Sequence, residues 1–246
     1  MSITNSIIAV IALTIGSYTF AQETIRLAYG HNYPPFSWLE QGEVKGLQVD
    51  ILTELFEKRL GIKAIHKAYP WKRAQWQVQS GLADAMLTLK TAKRSQYSLA
   101  TEQTLIPVGS YLFTYINHPR MDELSKLDNV NIKDFRVVQY LGGSLQGLPA
   151  DHSNIATVPE ISAALKFLAH RRADLFIDNP YVTRLAIKQL QLDNIIIQLP
   201  KILSTEKYHL LISKKSKIIK LLPKIEQSIQ AMKNDGTLNK LYKKYL

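Results

Sequence analysis

The sequence predicts two α/β lobes, each built on a mainly parallel sheet with helices packed on it. Three observations lead there. A strand–helix–strand rhythm runs from Thr24 to Leu89, and the same rhythm starts afresh at Phe135 after the turn cluster Asn117-His118-Pro119. The 246-residue length holds two cores of ordinary size. Hydrophobic residues at 46% against 21% charged supply the apolar surface those cores need, which excludes a disordered chain.

Taken in order, the chain opens on an apolar run, Ile7 to Ile15, followed by Gly16 and Thr19-Phe20-Ala21, with charged side chains only from Glu23 onward. That pattern reads as a secretory signal peptide over residues 1–21, cut near Ala21. The first six residues hold no Lys or Arg, so the positive end is the α-amino group alone, or the start codon lies upstream. An uncleaved anchor or a buried strand is the alternative, but a membrane span needs ~20 apolar residues and this run is shorter. Ile25, Leu27 and Tyr29 then alternate as in a half-buried strand. The segment Gly30–Trp38 reads as a loop fixed by Pro34 and Pro35. Apolar residues at Val49, Leu52, Leu55, Phe56 and Leu60 recur at helical spacing, with Gly61 as the cap. A short strand over Ile62–His66, a helix over Lys72–Gln79 stopped by Gly81, and a strand over Ala83–Leu89 complete the first unit.

Ile106–Ile116 is β-rich and marks the first crossing between lobes. Beyond it come a strand over Phe135–Tyr140, a tight turn at Gly142-Gly143-Ser144, and a helix over Pro159–Ala169 with Ile161, Ala164, Leu165 and Leu168 on one face. Ala173–Ile177 is the next strand. Gly81-Leu82-Ala83-Asp84 and Arg172-Ala173-Asp174 each follow a helix and open a strand with Ala-Asp, as if each lobe repeated one module. Tyr208–Ser213 is a strand returning the chain to the first lobe. Ile218, Leu221, Leu222, Ile225, Ile229 and Met232 then mark a helix that Pro223 either kinks or restarts. Asn234-Asp235-Gly236 ends it, and Leu238–Tyr245 forms a last short helix.

The formal net charge is +11, and residues 1–21 carry none of it. Its Lys residues cluster at Lys214–Lys220 and Lys240–Lys244, on amphipathic C-terminal segments where they form a solvated face, and no RNA- or DNA-binding motif accompanies them. Nucleic acid is therefore not an expected partner, although anionic membrane surfaces or an acidic protein remain compatible with the charge. The chain has no Cys, so it is neither a disulfide scaffold nor a lipoprotein. Gly142-Gly143-Ser144-Leu145-Gln146 fails the nucleophile-elbow pattern, there is no P-loop, and the six His show no metal-ligand spacing. Catalytic residues, metal and cofactor are accordingly not expected; Glu102 with a nearby His is the one acid/base pairing left open.

Several segments in sequence order resemble the bacterial extracellular solute-binding proteins of family 3, periplasmic components of polar amino-acid ABC transporters. They are Tyr33-Pro34-Pro35-Phe36, Gly46-Leu47-Gln48-Val49-Asp50-Ile51-Leu52, Gly81-Leu82-Ala83-Asp84 leading to Thr91-Ala92-Lys93-Arg94, Gly143-Ser144, Arg172–Asp178 and Met232–Leu238. Pro70-Trp71-Lys72-Arg73-Ala74 resembles a subgroup whose ligand is often unassigned. The resemblance implies a type II periplasmic-binding-protein fold, with two α/β lobes joined by a two-strand hinge. Lobe 1 would comprise residues 22–113 plus 206–246, and lobe 2 residues 114–205. It also implies a monomer that takes a small polar ligand such as an amino acid, and an inner-membrane ABC permease or a membrane sensor protein as partner. A few proteins of this fold are dehydratases.

The resemblance also places five ligand-binding candidates. Arg94 matches the family's carboxylate-binding Arg, whose guanidinium offers two parallel charge-assisted hydrogen bonds; otherwise it is a surface Arg beside Lys90 and Lys93. Asp178 matches the second-lobe acid that receives an ammonium, or else caps the helix starting near Pro180. Ser144, with the backbone after Gly143, would meet an anion at a helix N-terminus, or is part of a plain glycine turn. Tyr33 matches an aromatic that stacks on the ligand, and Trp71, like Phe36 and Trp38, belongs to the wall, the rim or the core. Two positions depart from the family: Gly30 stands where an acid is common, and Leu89 where a small hydroxyl residue is common. Both departures leave room for a non-standard ligand.

Overall fold

A computed structural model describes residues 23–127, 131–143, 145, 147–149 and 151–246. The expected signal peptide and the candidate Ser144 lie outside the described residues. The first lobe opens with β1 (Thr24–Gly30), then β2 (Asn32–Tyr33), β3 (Ser37–Glu40) and β4 (Glu43–Lys45). Next come α1 (Leu47–Thr53), continued by a π-helical turn over Glu54–Arg59, and β5 (Lys63–Tyr69), α2 (Trp71–Ser80), β6 (Ala85–Leu89), α3 (Ala92–Ser95) and β7 (Ser98–Ala100). The crossing strand β8 (Ile106–Tyr115) leads to α4 (Met121–Ser125), a 3-10 turn over Asn131–Asp134, β9 (Val137–Tyr140), β10 (Ile155–Val158), α5 (Ile161–Ala169), β11 (Leu175–Asp178) and α6 (Pro180–Gln189). A long return strand β12 (Ile196–Ser213) precedes a 3-10 turn over Lys217–Leu221, α7 (Leu222–Asn234) and α8 (Thr237–Tyr245).

One sheet runs through both lobes in the order β10-β9-β11-β8-β12-β6-β1-β5, with β7 added on β12. Pairing is parallel within each lobe, β5-β1-β6 on one side and β10-β9-β11 on the other. The long strands β8 and β12 pair antiparallel with each other between them, and this two-strand ribbon is the hinge. It differs from the expectation in one respect. Only Tyr208–Ser213 reads as a strand in the sequence, whereas β12 begins at Ile196 and pairs with β8 as far as Tyr208. Pro200 hides the first part: it sits where the register shifts between Gln198 and Ile202, a bulge that tolerates a residue without an N–H. The expected loop after Gly30 likewise holds a small antiparallel sheet, β2-β3-β4, whose strands are too short to leave a periodic signal.

Alternation along β1 and β6 sends Ile25, Leu27, Tyr29, Ala85 and Leu87 to the face covered by α1, α7 and α8, while Ala28 and Met86 meet Ala74 and Val78 of α2 on the other. Ile225, Ile229 and Met232 of α7 are fully buried, and each such side chain contributes about 1.5–3 kcal/mol. Pro223 falls in the first turn of α7, where its missing N–H costs nothing, so it starts a helix rather than kinking one. In the second lobe the expected face of α5, Ile161, Ala164, Leu165 and Leu168, is the buried one.

The repeated Ala-Asp pair has the same structural job in both lobes. Asp84 accepts the Arg26 amide at 2.8 Å and its guanidinium at 2.9 and 3.0 Å. Asp174 accepts the Arg136 amide at 2.7 Å and its guanidinium at 3.1 and 2.9 Å. Each carboxylate thereby ties the strand it precedes to the parallel neighbour, β6 to β1 and β11 to β9. Burial opposes ionisation of both acids, but hydrogen bonds from the arginine, joined by Ser216 at Asp84 and His118 at Asp174, and the arginine charge together outweigh it and hold their pKa values below the usual carboxylate range. Among the described residues no helix is long and apolar enough to cross a membrane.

Candidate ligand-binding site

A parallel strand leaves its C-terminal end open where the chain departs for the next helix, and in open α/β sheets that edge lines the ligand crevice. Here both lobes turn that edge toward the same cleft. Gly30, Leu89, Tyr140 and Asp178, the last residues of β1, β6, β9 and β11, all line one cavity of about 330 Å³, joined by Pro70 and Trp71 after β5 and Pro159 after β10. Tyr208 of the hinge strand also lines it. The volume lies in the range of small-molecule sites.

Arg94 lies in this wall rather than at the surface, with only 4% of its area exposed. The Thr91 hydroxyl accepts the Arg94 amide at 3.2 Å and caps α3, which fixes where the side chain starts. Its guanidinium donates to the Leu89 carbonyl at 2.9 Å and to the Thr88 hydroxyl at 3.3 Å, and lies 5.4 Å from the Trp71 ring. Trp71 thus serves as a wall of the cleft and as a cation–π partner for the arginine.

Asp178 stands across the cavity on the second lobe. It does not cap α6: Asn179 does, its side-chain oxygen accepting the Tyr181 amide at 2.9 Å. Asp178 instead accepts the Tyr33 hydroxyl at 3.1 Å, a hydrogen bond from lobe to lobe. The Tyr33 and Tyr208 hydroxyls are also 3.1 Å apart, and with the Tyr33 proton directed at Asp178, Tyr208 is the donor of that pair. Burial, then the negative field of Asp178 and the neighbouring Tyr208 and Tyr140, push the Tyr33 pKa well above its ordinary value. The phenol therefore remains a donor at neutral pH. The cavity is lined by a guanidinium from the first lobe and, from the second, a carboxylate that accepts a phenol hydroxyl, with Trp71, Tyr140 and Tyr208 also in the wall, a layout suited to a small zwitterion.

Other residues resolve differently. Phe36 is fully buried, 5.7 Å from the Tyr33 ring and 5.9 Å from Tyr208, so it backs the site without lining it. Trp38 packs edge-on against Tyr245, outside the cavity lining. Glu102 is exposed and also outside that lining, and its amide is held by Glu226. Among the described residues between Gly143 and β10 none is helical, and the next described helix begins at Ile161. Gly30 and Leu89 both line the cavity, so the two departures from the family pattern fall in the wall itself. Sequence reasoning missed Gln48, Thr88, Tyr140, Glu160 and Tyr208 of the lining. Tyr140 and Tyr208 carry a signal in principle, since each stands where a recognised strand meets the cleft.

Fold and cleft together define a two-lobed solute-binding protein of type II periplasmic-binding architecture. Residues 25–246 match the model of the bacterial extracellular solute-binding proteins, family 3, and the chain belongs to that family. Among solved structures it is similar to a histidine kinase sensor domain with similarity to periplasmic binding proteins, at 17% identity and TM-score 0.77, over 92% of this chain and 96% of that one. An ancestral arginine-binding protein bound to arginine matches at 22% identity and TM-score 0.71, over 92% and 99% of the two chains. An ancestral amino-acid-binding protein described as a precursor of cyclohexadienyl dehydratase matches at 22% and TM-score 0.70, over 90% and 95%. At these identities the likeness establishes the fold. Comparison with curated proteins found no match.

Proposed function

We propose that this protein captures a small zwitterionic molecule, an amino acid or a close analogue, between its lobes, and performs no covalent chemistry on it. The observation that carries this reading is the pairing of Arg94 and Asp178 on opposite lobes of one cavity. A ligand carboxylate takes the guanidinium of the first lobe and its ammonium takes the carboxylate of the second, so binding bridges the cleft and favours closure. The open form offers half of these contacts and binds weakly, and that difference drives the population shift. Lobe 1 spans residues 22–113 plus 206–246 and lobe 2 residues 114–205 in this scheme. The chain acts as an exported monomer, freed of its signal peptide in the periplasm, without metal or cofactor, and delivers its ligand to an inner-membrane ABC permease.

Ligand sensing for a membrane receptor is the second reading, favoured by the likeness to a kinase sensor domain. Gene neighbourhood separates the two roles, and a turnover assay separates both from a dehydratase-like enzyme. The ligand itself is found by a thermal-shift screen of amino acids, short peptides, organic acids and polyamines. A ligand at 100 times its dissociation constant adds about 2.7 kcal/mol of stability, a readily measured shift. Stabilisation by organic acids or polyamines alone, with no zwitterion active, would overturn the proposal.

A further inference from the structure

Three side chains of the first lobe converge on one backbone carbonyl of the second. The Trp71 indole N–H donates to the Gly142 carbonyl at 2.9 Å, the Gln75 amide nitrogen at 3.0 Å and an Arg94 guanidinium nitrogen at 3.3 Å. A carbonyl oxygen has two lone pairs, and the two shorter bonds occupy them; the longest belongs to the arginine. Trp71 and Gln75 stand four residues apart on α2 and therefore share a face, the one turned to the second lobe. Gln75 does a second thing. Its amide oxygen accepts from Arg94 Nε at 3.4 Å, so the amide that reaches across the cleft also touches the arginine of the ligand site.

Position 142 favours glycine. Its φ is +83°, and an added Cβ would lie 2.6 Å from the Gln75 amide nitrogen and 3.2 Å from Trp71 Cδ1. A side chain there would displace the Gln75 amide from the Gly142 carbonyl, crowd Trp71 and strain the turn. The two shorter bonds, from Trp71 and Gln75, are made between groups of the protein alone and need no ligand.

We propose that Trp71, Gln75 and the Gly142 carbonyl form a latch that sets the balance between open and closed lobes, with Gln75 as the positioning residue that couples the orientation of Arg94 to closure. Trp71 and Arg94 also line the ligand cavity, but the latch is tested on the protein without ligand, so its failure leaves the proposed ligand class untouched. The chain has no Cys, and Lys67→Cys on β5 with Thr157→Cys on β10 places spin labels at exposed sites on the two edge strands of the sheet. Pulsed dipolar spectroscopy then reads the interlobe distance.

Losing the Gln75 donor in Gln75→Met is expected to lower the closed-to-open ratio roughly three- to tenfold, one ordinary hydrogen bond's worth. Gln75→Glu keeps an acceptor for Arg94 but faces the Gly142 carbonyl with oxygen, and is expected to open the lobes at least as far. Gly142→Ala is expected to open them most. Should Gly142→Ala fail to fold, the two Gln75 variants carry the test, since they leave the backbone turn unchanged. A structural role alone would lower the melting temperature of each variant and leave its distance distribution where the parent has it. That outcome, for Gln75→Met and Gln75→Glu together, overturns the latch.

Discussion

Replacing Arg94 by Ala separates what this side chain does for the fold from what it does for the ligand. In the folded protein its 2.9 Å hydrogen bond to the Leu89 carbonyl satisfies an acceptor at the end of a fully buried strand, while its hydrogen bonds with Thr88, Gln75 and Gly142 are 3.3 Å or longer. Stranding the Leu89 carbonyl is expected to cost about 1–3 kcal/mol of stability, read by urea unfolding of the protein alone. Binding is expected to suffer more. Loss of a desolvated carboxylate–guanidinium pair costs about 2–5 kcal/mol, which weakens the dissociation constant roughly 30- to 5,000-fold. Calorimetry with a zwitterion recovered from the thermal-shift screen measures it. Arg94→Lys should restore charge but not the planar fork, and so fall between wild type and Ala in affinity. Wild-type affinity in both variants would show that the carboxylate subsite lies elsewhere, however large the loss of stability.

On the opposite wall, Asp178→Asn should weaken the same zwitterion by at least tenfold, while Tyr33→Phe, which removes one hydrogen bond to Asp178, should cost roughly three- to tenfold in the same titration; equal affinity in Asp178→Asn would remove the ammonium subsite. Asp84 and Asp174 have depressed folded-state pKa values, so their contribution to stability is fully present above the unfolded carboxylate value of about 4 and is lost as pH falls through the lower folded value. Asp84→Asn and Asp174→Asn should accordingly flatten the acid limb of a stability–pH curve between about pH 5 and pH 2, and an unchanged slope would contradict the assignment. Phe36→Ala should destabilise by about 3–5 kcal/mol, because the ring is fully enclosed between Tyr33 and Tyr208; a loss under 1 kcal/mol in urea unfolding would show that the site relaxes into the space. Intact mass of protein from the periplasmic fraction should give an N-terminus near Gln22, and recovery of the uncleaved chain in membranes would refute export.

The sequence by itself determined the alternating α/β order and the apolar faces of α5 and α7, because periodicity is local and survives without knowledge of the partner element; it limited Pro223 to a kink or a helix start, and the structure chose the start. It also pointed to Arg94 and Asp178, through the resemblance of the segments that hold them to the family; the structure sets Arg94 on α3 and Asp178 at the end of β11. Tertiary structure decided the rest. The length of β12 depends on β8 lying beside it, which lets the ladder resume past Pro200. Tyr140, at the end of β9, and Tyr208, within β12, become site residues only once the sheet order sets their strands against one cavity. Gln75 reads as an unremarkable polar residue in an amphipathic helix, and Gly142 as a turn glycine. Their meeting across 67 residues of chain follows from the lobes closing on each other, a long-range event that no local pattern encodes.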